Sequence, residues 1–251
     1  MANNKKDAPM GSEQIAGLRD PVLAKVTNPF YRGFDLAYPD VERAKVFISE
    51  LAENEKTGNM ARLTVMRLVN DHTNGTAAGK TAPLSSAADN DYALGMIVEA
   101  VSKSRFWTST AIFVLEDDAQ NGPDHVDSHR SLMWLVSPYV RRHAVDSHMY
   151  NTTSALRSIE LILGLHPMTQ FDAAAVPLNA AFQARPDAAP YSAEKPRIAL
   201  DTKNPPRAPA VAENMNFDHA DTNDDNLLNE VLWRAIRKDA PPPPVRSYFG
   251  K

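Results

Sequence analysis

Residues 110–118 read Thr-Ala-Ile-Phe-Val-Leu-Glu-Asp-Asp, a continuous apolar run that ends abruptly in three acidic side chains. The run is rich in β-branched and aromatic residues, which is typical of a buried strand in a parallel sheet. A second segment, residues 62–68, also has the pattern of a strand, and it runs into Asn70, Asp71 and His72. The sequence therefore predicts two strands whose carboxyl ends carry polar side chains.

Helical periodicity flanks both predicted strands. Apolar residues recur at helical spacing in four segments, and we predict helices over residues 40–53, 89–103, 153–163 and 225–238. Alternation of helices and apolar strands predicts an α/β fold, with a mostly parallel sheet flanked by helices. Ligands bind such sheets beyond the carboxyl ends of the strands, which is where both polar clusters are expected to lie.

Composition excludes several classes of function. The 251 residues are 43% hydrophobic and 23% charged, which is ordinary for a globular protein with a sizeable core. A net charge of −4, without a run of Lys or Arg, predicts no nucleic-acid partner. The absence of cysteine rules out thiolate metal sites and cysteine nucleophiles. We expect no membrane span, and no signal peptide in the polar residues that follow Met1.

Residues 116–129 form the densest ionisable cluster, with five carboxylates and two imidazoles in fourteen positions. Neighbouring carboxylates repel each other, which raises their pKa values unless a cation neutralises them. Mixed Asp and His ligands suit zinc, manganese or iron better than calcium. The cluster therefore predicts a divalent metal site, and a solvated acidic loop is the alternative that the residues alone leave open.

Several motifs follow one another along the chain. They are Asn-Asp-His-Thr-Asn-Gly at 70–75, Ala-Leu-Gly-Met-Ile-Val-Glu-Ala-Val-Ser-Lys-Ser at 93–104, the 110–118 stretch and Asp-His-Val at 124–126. Together they resemble the bacterial phosphoesterase family of the alkaline phosphatase superfamily, which includes phospholipase C-type enzymes and acid phosphatases. The resemblance covers residues 30–180 and, less closely, residues 226–249, and it is closest to members with an N-terminal β-propeller.

The resemblance implies a partial alkaline-phosphatase-like domain and a set of site residues. By position these are the paired metal ligands Asp117 and Asp118, the catalytic residues His72 and Asp71, the alternative metal ligands His125 and His129, and Asp124. Asp124 would orient His125 by a hydrogen bond, a common arrangement beside metal-bound imidazole, or it would cap a turn.

The resemblance also implies a preceding half that carries an early metal-binding motif and the nucleophile, and neither is found here. We therefore expect a metal-dependent hydrolase of phosphoric esters that lacks its nucleophile. The alternative is a non-catalytic metal- or phosphate-binding remnant that pairs with a separate N-terminal half or with itself. The relatives are exported, which implies a periplasmic or secreted location.

The expected organisation has three parts. Residues 1–39 form an irregular N-terminal segment, and residues 40–180 form the C-terminal half of the phosphoesterase domain. Residues 181–251 form a Pro- and Ala-rich extension that ends in a helix of the same domain.

Overall fold

The structure is a computed structural model that describes residues 20–117, 131–206, 212–219 and 222–238. Within these ranges the chain forms five α-helices and one two-stranded sheet. In chain order the elements are α1 (Asp40–Thr57), α2 (Pro83–Lys103), β1 (Ile112–Leu115), β2 (Met133–Val136), α3 (Thr152–Leu163), α4 (Gln170–Ala174) and α5 (Asp225–Arg237). No helix of the described part is both long and apolar enough to cross a membrane.

The four predicted helices are confirmed, and their ends have local causes. Helix α1 stops at Gly58 and α3 stops at Gly164, and each glycine has the positive φ of a left-handed cap, at 72° and 70°. Helix α2 begins six residues earlier than predicted, because Pro83 takes the first helical position and the turns that follow contain small, polar residues. Asn151 caps α3 by accepting a hydrogen bond from the Ser154 backbone N–H.

The main hydrophobic core lies between α1 and α2. Its fully buried members are Ala44, Phe47, Leu51, Ala93, Ile97, Val101 and Trp107. Each large apolar side chain in such a core stabilises the fold by about 1.5–3 kcal/mol relative to an exposed position. A second cluster joins the N-terminal segment to α5 and consists of Phe34, Leu36, Val69, Phe217 and Leu228.

The observed sheet contains two strands. Strands β1 and β2 pair antiparallel, with Ile112 opposite Val136 and Val114 opposite Trp134. Ile112 and Val136 pack against the main core. A larger, mostly parallel sheet of the alkaline-phosphatase type stays a prediction.

The predicted strand at residues 62–68 is not formed. The segment belongs to none of the sheets that the described residues form. Met66 and Leu68 pack against the main core, whereas Leu63 and Val65 remain 51% and 86% exposed. The prediction from β-propensity was wrong here because a strand also needs a partner, and no described segment supplies one.

Candidate functional site

The candidate site is built around the short 3-10 helix Asn70–His72, which directly follows the extended segment. The backbone N–H groups of Val69 and Asn70 donate hydrogen bonds to the carboxylate of Asp40, at 3.1 and 2.8 Å. The Asn70 side chain donates from Nδ2 to Asp89 Oδ2 at 2.7 Å. Asp40 lies at the start of α1 and Asp89 lies in α2, so both helices hold the turn in place.

A buried ion pair supports this network. Arg43 Nη1 lies 2.9 Å from Asp40 Oδ1, and both side chains are completely buried. The same guanidinium donates hydrogen bonds to the backbone carbonyls of Arg32, Gly33, Asp35 and Tyr38. Because Arg43 uses its donors on several partners, the buried charge is satisfied in a way that an isolated ion pair would not be.

Asp89 links the two helices directly. Its Oδ2 accepts a hydrogen bond from the Asp40 backbone N–H at 2.6 Å, which satisfies a donor at the first turn of α1. Burial raises the pKa of the Asp89 carboxyl, although the hydrogen bonds from Asp40 and Asn70 oppose the shift. The sequence contained no signal for this role, because Asp89 seemed only to begin the predicted helix.

Asp71 carries the electrostatic signature of a functional carboxylate. Desolvation by the surrounding protein raises its pKa even though the side chain reaches solvent, and the negative charges of Asp40 and Asp117 raise it further. Asn90 donates a hydrogen bond from Nδ2 to Asp71 Oδ1 at 3.3 Å. Perturbed carboxylates of this kind are enriched at functional sites, but structural networks produce them too.

Asp117 follows β1 and lies near the turn. Its carboxylate is 80% exposed and faces Arg67 Nη2 at 3.8 Å. The same guanidinium lies over the Phe34 ring, which packs against His72, so Arg67 connects the end of β1 with the site turn. Among the causes of the raised pKa of Asp71, the charge of Asp117 is the smallest.

His72 has a different environment from Asp71. Its ring makes edge-on contacts with Phe34 and Phe217, at centroid distances of 5.6 and 6.5 Å. The Nδ1 atom lies 3.2 Å from the Thr73 carbonyl oxygen, while Nε2 is buried and has no hydrogen-bond partner. The Phe34 and Phe217 rings therefore hold the imidazole in place, and its Nε2 atom has no hydrogen-bond partner.

The backbone after His72 is strained. Thr73 has φ 61° and ψ 169°, a region that β-branched residues rarely occupy, and such a conformation costs about 1–3 kcal/mol. Its hydroxyl accepts a hydrogen bond from the Gly75 backbone N–H at 2.9 Å. Gly75 itself has φ 51°, and a Cβ atom there would lie 2.9 Å from Phe217. The close packing of the Phe217 ring against the turn therefore depends on a glycine at position 75.

The described residues supply only part of the expected metal shell. No group of three or more His, Asp or Glu side chains within the described ranges is arranged to hold a metal ion. Asp118, Asp124, His125 and His129 lie outside the described residues. Asp117 is accessible and has the chemistry of a metal ligand. Ligation by Asp117, by Asp118 and by His125 or His129 stays a prediction, as does the role of Asp124 in orienting His125.

Two concave regions are found in the described part, one of them beside the site turn. A cavity of about 110 Å³ is lined by polar residues that include Asn70, Thr81, Asp89 and Lys203. Asn70 is 7% exposed, and its Oδ1 has no hydrogen-bond partner. An open groove of about 600 Å³ lies beside α3 and α4. Neither region contains Asp71, His72 or Asp117.

Comparisons of the chain with protein-family models, with curated proteins and with solved structures found no match.

Proposed function

We propose that this protein is a metal-dependent hydrolase of phosphoric esters. One observation carries the proposal: Asp117, at the end of β1, lies beside the site turn, because its neighbour Arg67, at 3.8 Å, also lies over the Phe34 ring that packs against His72. A divalent cation would bind the Asp117 carboxylate in place of this guanidinium. The motifs that resemble bacterial phosphoesterases support the same chemistry.

The proposed metal shell begins at the end of β1. Asp117 and Asp118 would be ligands, and His125 or His129 would complete the shell, with Asp124 accepting a hydrogen bond from His125 and so orienting its ring. Zinc, manganese or iron is the expected ion, because the ligand set mixes imidazole and carboxylate. When bound, the ion would supply positive charge to the oxygens of a phosphate ester.

The turn supplies the proposed catalytic residues. Asp71 contributes a carboxylate whose negative charge is destabilised by burial and by Asp40. His72 contributes the Nε2 atom, which is buried and has no hydrogen-bond partner, so it would exchange a proton with a substrate only after the turn had moved to expose it. Phe34 and Phe217 fix the ring, so the direction of that nitrogen is set before any substrate binds.

A second candidate function is non-catalytic binding of a metal or a phosphate group. Two hydroxyls near the acidic cluster could be considered as nucleophiles, and both make structural hydrogen bonds. Thr73 is 5% exposed and binds the Gly75 N–H, and Ser131 Oγ donates to the Glu116 carbonyl oxygen at 2.6 Å. Within the described residues near the site, this favours binding without covalent catalysis.

The test is hydrolysis of an aryl phosphate with added Zn²⁺ or Mn²⁺, together with calorimetric titration of each metal. Asp117→Asn should abolish turnover and weaken metal binding at least tenfold. Glu194→Gln is the matched control, because Glu194 is also an exposed carboxylate that is paired with an arginine, Arg197, at 3.2 Å. It should leave both properties unchanged.

The possible outcomes separate the two candidates. Turnover that disappears in Asp117→Asn supports the hydrolase. Metal binding that needs Asp117 without turnover supports the binding protein. The absence of both would contradict both candidates.

The pH dependence of metal binding gives a further test. A metal ligand or neighbouring carboxylate must be ionised to assist the cation, and the pKa of Asp71 is raised above 3.8. Metal affinity should therefore decrease, as the pH falls, at a higher pH than it does in Asp71→Asn. Identical pH profiles for the two proteins would contradict a role for Asp71.

A further inference from the structure

Arg67 lies between the end of β1 and the site turn. Its Nη2 atom is 3.8 Å from the Asp117 carboxylate, and its guanidinium carbon is 5.5 Å from the centroid of the Phe34 ring. The Phe34 ring packs edge-on against the His72 ring, with 5.6 Å between the two centroids. The positive charge of Arg67 therefore lies beside residues from both parts of the proposed site.

The backbone that carries Arg67 is held in place by its neighbours. The Arg67 carbonyl oxygen accepts a hydrogen bond from the Tyr31 hydroxyl at 3.0 Å. Met66 and Leu68, on either side of it, pack against the main core. The guanidinium thus extends from an anchored part of the chain, so little backbone freedom would be lost when it binds a ligand.

The ion pair between Arg67 and Asp117 is a weak one. The side chain of Arg67 is 47% exposed, and that of Asp117 is 80% exposed. An ion pair between side chains this accessible shifts an equilibrium by less than about fivefold. The distance of 3.8 Å is also longer than that of a charge-assisted hydrogen bond, which is about 2.7–2.9 Å. An anion that made such hydrogen bonds with the guanidinium would therefore displace the Asp117 carboxylate.

The chemistry of Arg67 favours one class of anion. The N–H groups of a guanidinium form a planar fork that matches two oxygens of a phosphate group. A phosphate monoester also carries close to two negative charges near pH 7, whereas a carboxylate carries one. The attraction between Arg67 and the Phe34 ring acts on the whole positive charge and needs no N–H donor, so it can persist while a ligand binds. A phosphate monoester is therefore a better partner for Arg67 than a single carboxylate.

We propose that Arg67 binds the phosphate group of the substrate, and that it gives up its contact with Asp117 to do so. The inference rests on the proposed function, in which a divalent cation binds the Asp117 carboxylate in place of Arg67. The cation would also neutralise the negative charge that repels a phosphate group at this position. Cation binding at Asp117 and phosphate binding at Arg67 should therefore strengthen each other, each by the same factor.

The first test measures anion binding without any metal. The probe is phenylphosphonate, which resembles an aryl phosphate but has no ester bond to hydrolyse, and its binding to the full metal-free chain is measured by calorimetric titration. Arg67→Ala should weaken this binding at least about tenfold, because hydrogen bonds between charged partners are lost. Arg67→Lys should have an intermediate affinity, because an ammonium group cannot form the two parallel hydrogen bonds.

Arg62→Ala is the matched control for Arg67→Ala. Arg62 is also exposed and lies five positions earlier in the same segment, but its guanidinium donates to the Leu163 carbonyl oxygen at 2.9 Å. The substitution should leave the affinity for phenylphosphonate unchanged. The melting temperature of each variant shows whether the chain is still folded.

Substitutions of Arg67 and Asp117 should also have opposite effects on the two ligands. In the metal-free chain, Asp117→Asn should strengthen phenylphosphonate binding by about two- to fivefold, because the competing carboxylate is removed. Arg67→Ala should strengthen Mn²⁺ binding by a similar factor, because the guanidinium no longer competes for Asp117. A purely structural role of Arg67 would instead lower the affinity for both ligands.

Four results would overturn the proposal. They are a wild-type chain that does not bind phenylphosphonate at millimolar concentration, equal affinities of the wild type and Arg67→Ala, a loss in Arg62→Ala as large as that in Arg67→Ala, and a lower Mn²⁺ affinity in Arg67→Ala. The first three are measured without metal, so they do not depend on whether the chain binds Mn²⁺ or hydrolyses an ester. Metal-dependent turnover with an unchanged phenylphosphonate affinity in Arg67→Ala would contradict the role of Arg67 alone. The absence of Mn²⁺ binding and of turnover would contradict the proposed function instead.

Discussion

Helices α1 and α3 differ in whether they bury large apolar side chains. Helix α1 buries Phe47 and Leu51 against α2, in addition to the ion pair that Asp40 forms with Arg43. Helix α3 leaves Leu161 and Ile162 more than half exposed, and its buried residues are Ser154, Ala155, Ser158 and Glu160. An amphipathic helix normally does what α1 does, because burial of apolar surface stabilises the fold.

The difference shows which half of the molecule buries its large apolar side chains, and this half is called the complete half below. The α1–α2 half has its own core, and its buried charges are paired or hydrogen-bonded. The α3–α4 half leaves apolar residues in contact with solvent, and the only described element that packs extensively on α3 is the short helix α4. Such a surface on a folded chain indicates a binding face.

The largest effect should come from breaking the ion pair in the complete half. Arg43→Ala would leave the Asp40 carboxylate buried without its cation, so we expect a loss of about 3–5 kcal/mol of unfolding free energy. Urea denaturation measures it. Arg197→Ala, in a pair whose side chains are 88% and 82% exposed, should cost less than about 1 kcal/mol. Similar losses of unfolding free energy in Arg43→Ala and Arg197→Ala would contradict the greater importance of the buried ion pair.

The two helices can be compared with one substitution. Leu51 is 3% exposed in α1 and Leu161 is 52% exposed in α3. Leu51→Ala should lower the unfolding free energy by about 2–5 kcal/mol because it leaves a cavity in a packed core. Leu161→Ala should lower it by less than about 1 kcal/mol, because the side chain is already half exposed. Urea denaturation of the two variants measures both losses, and equal losses would refute the difference between the helices.

Two glycines test how much the contact between the site turn and Phe217 contributes to the stability of the fold. Gly75→Ala would place a Cβ atom at a residue with positive φ and 2.9 Å from Phe217, so we expect the free energy of unfolding to fall by about 2–3 kcal/mol. Gly79 has φ 68° but open space around its Cα, so Gly79→Ala should cost only about 1 kcal/mol. The difference between their melting temperatures isolates the contact with Phe217. Equal melting temperatures would mean that the Phe217 side chain moves away from the new Cβ atom at little cost in stability.

The smallest effect concerns the N-terminal cap of α4, and it depends on pH. Hydrogen bonds from the Thr169 side chain, and from the Met168 backbone N–H, lower the pKa of the Asp172 carboxyl below 3.8. The stability that Asp172 contributes is therefore fully present above pH 3.8 and is lost as the pH falls through the lowered pKa.

Asp172→Asn tests the contribution of this cap. The variant should be less stable than the wild type at pH 6, and the gap between their melting temperatures should narrow towards pH 2. A gap that does not change with pH would show that the charge of Asp172 has no part in holding α4.

Local pattern and long-range packing explain what the sequence could and could not predict. The four long helices were predictable because apolar periodicity and end signals such as Gly58 and Gly164 are local. The strand pattern of residues 62–68 was misleading because pairing depends on a partner distant in sequence.

Some residues of the candidate site could be predicted from local sequence, and others depend on packing between distant segments. Asp71 and Asp117 stand out in the sequence because each follows an apolar run, and strand ends are where such sheets bind ligands. Phe34 and Phe217, which hold His72, could not have been predicted. Phe217 lies in a segment without periodicity, and its contact with the turn depends on the packing of α5.

The Asp40 carboxylate accepts hydrogen bonds from Arg43, from two backbone groups of the site turn and from Asn90. The turn therefore cannot shift without disturbing the anchor of both long helices. A compound that binds at Asp71 would stabilise this anchor, and its occupancy would appear as a rise in the melting temperature of the whole α1–α2 unit. A thermal-shift screen of metal ions and phosphate compounds would thus detect ligands even in a chain that has no turnover.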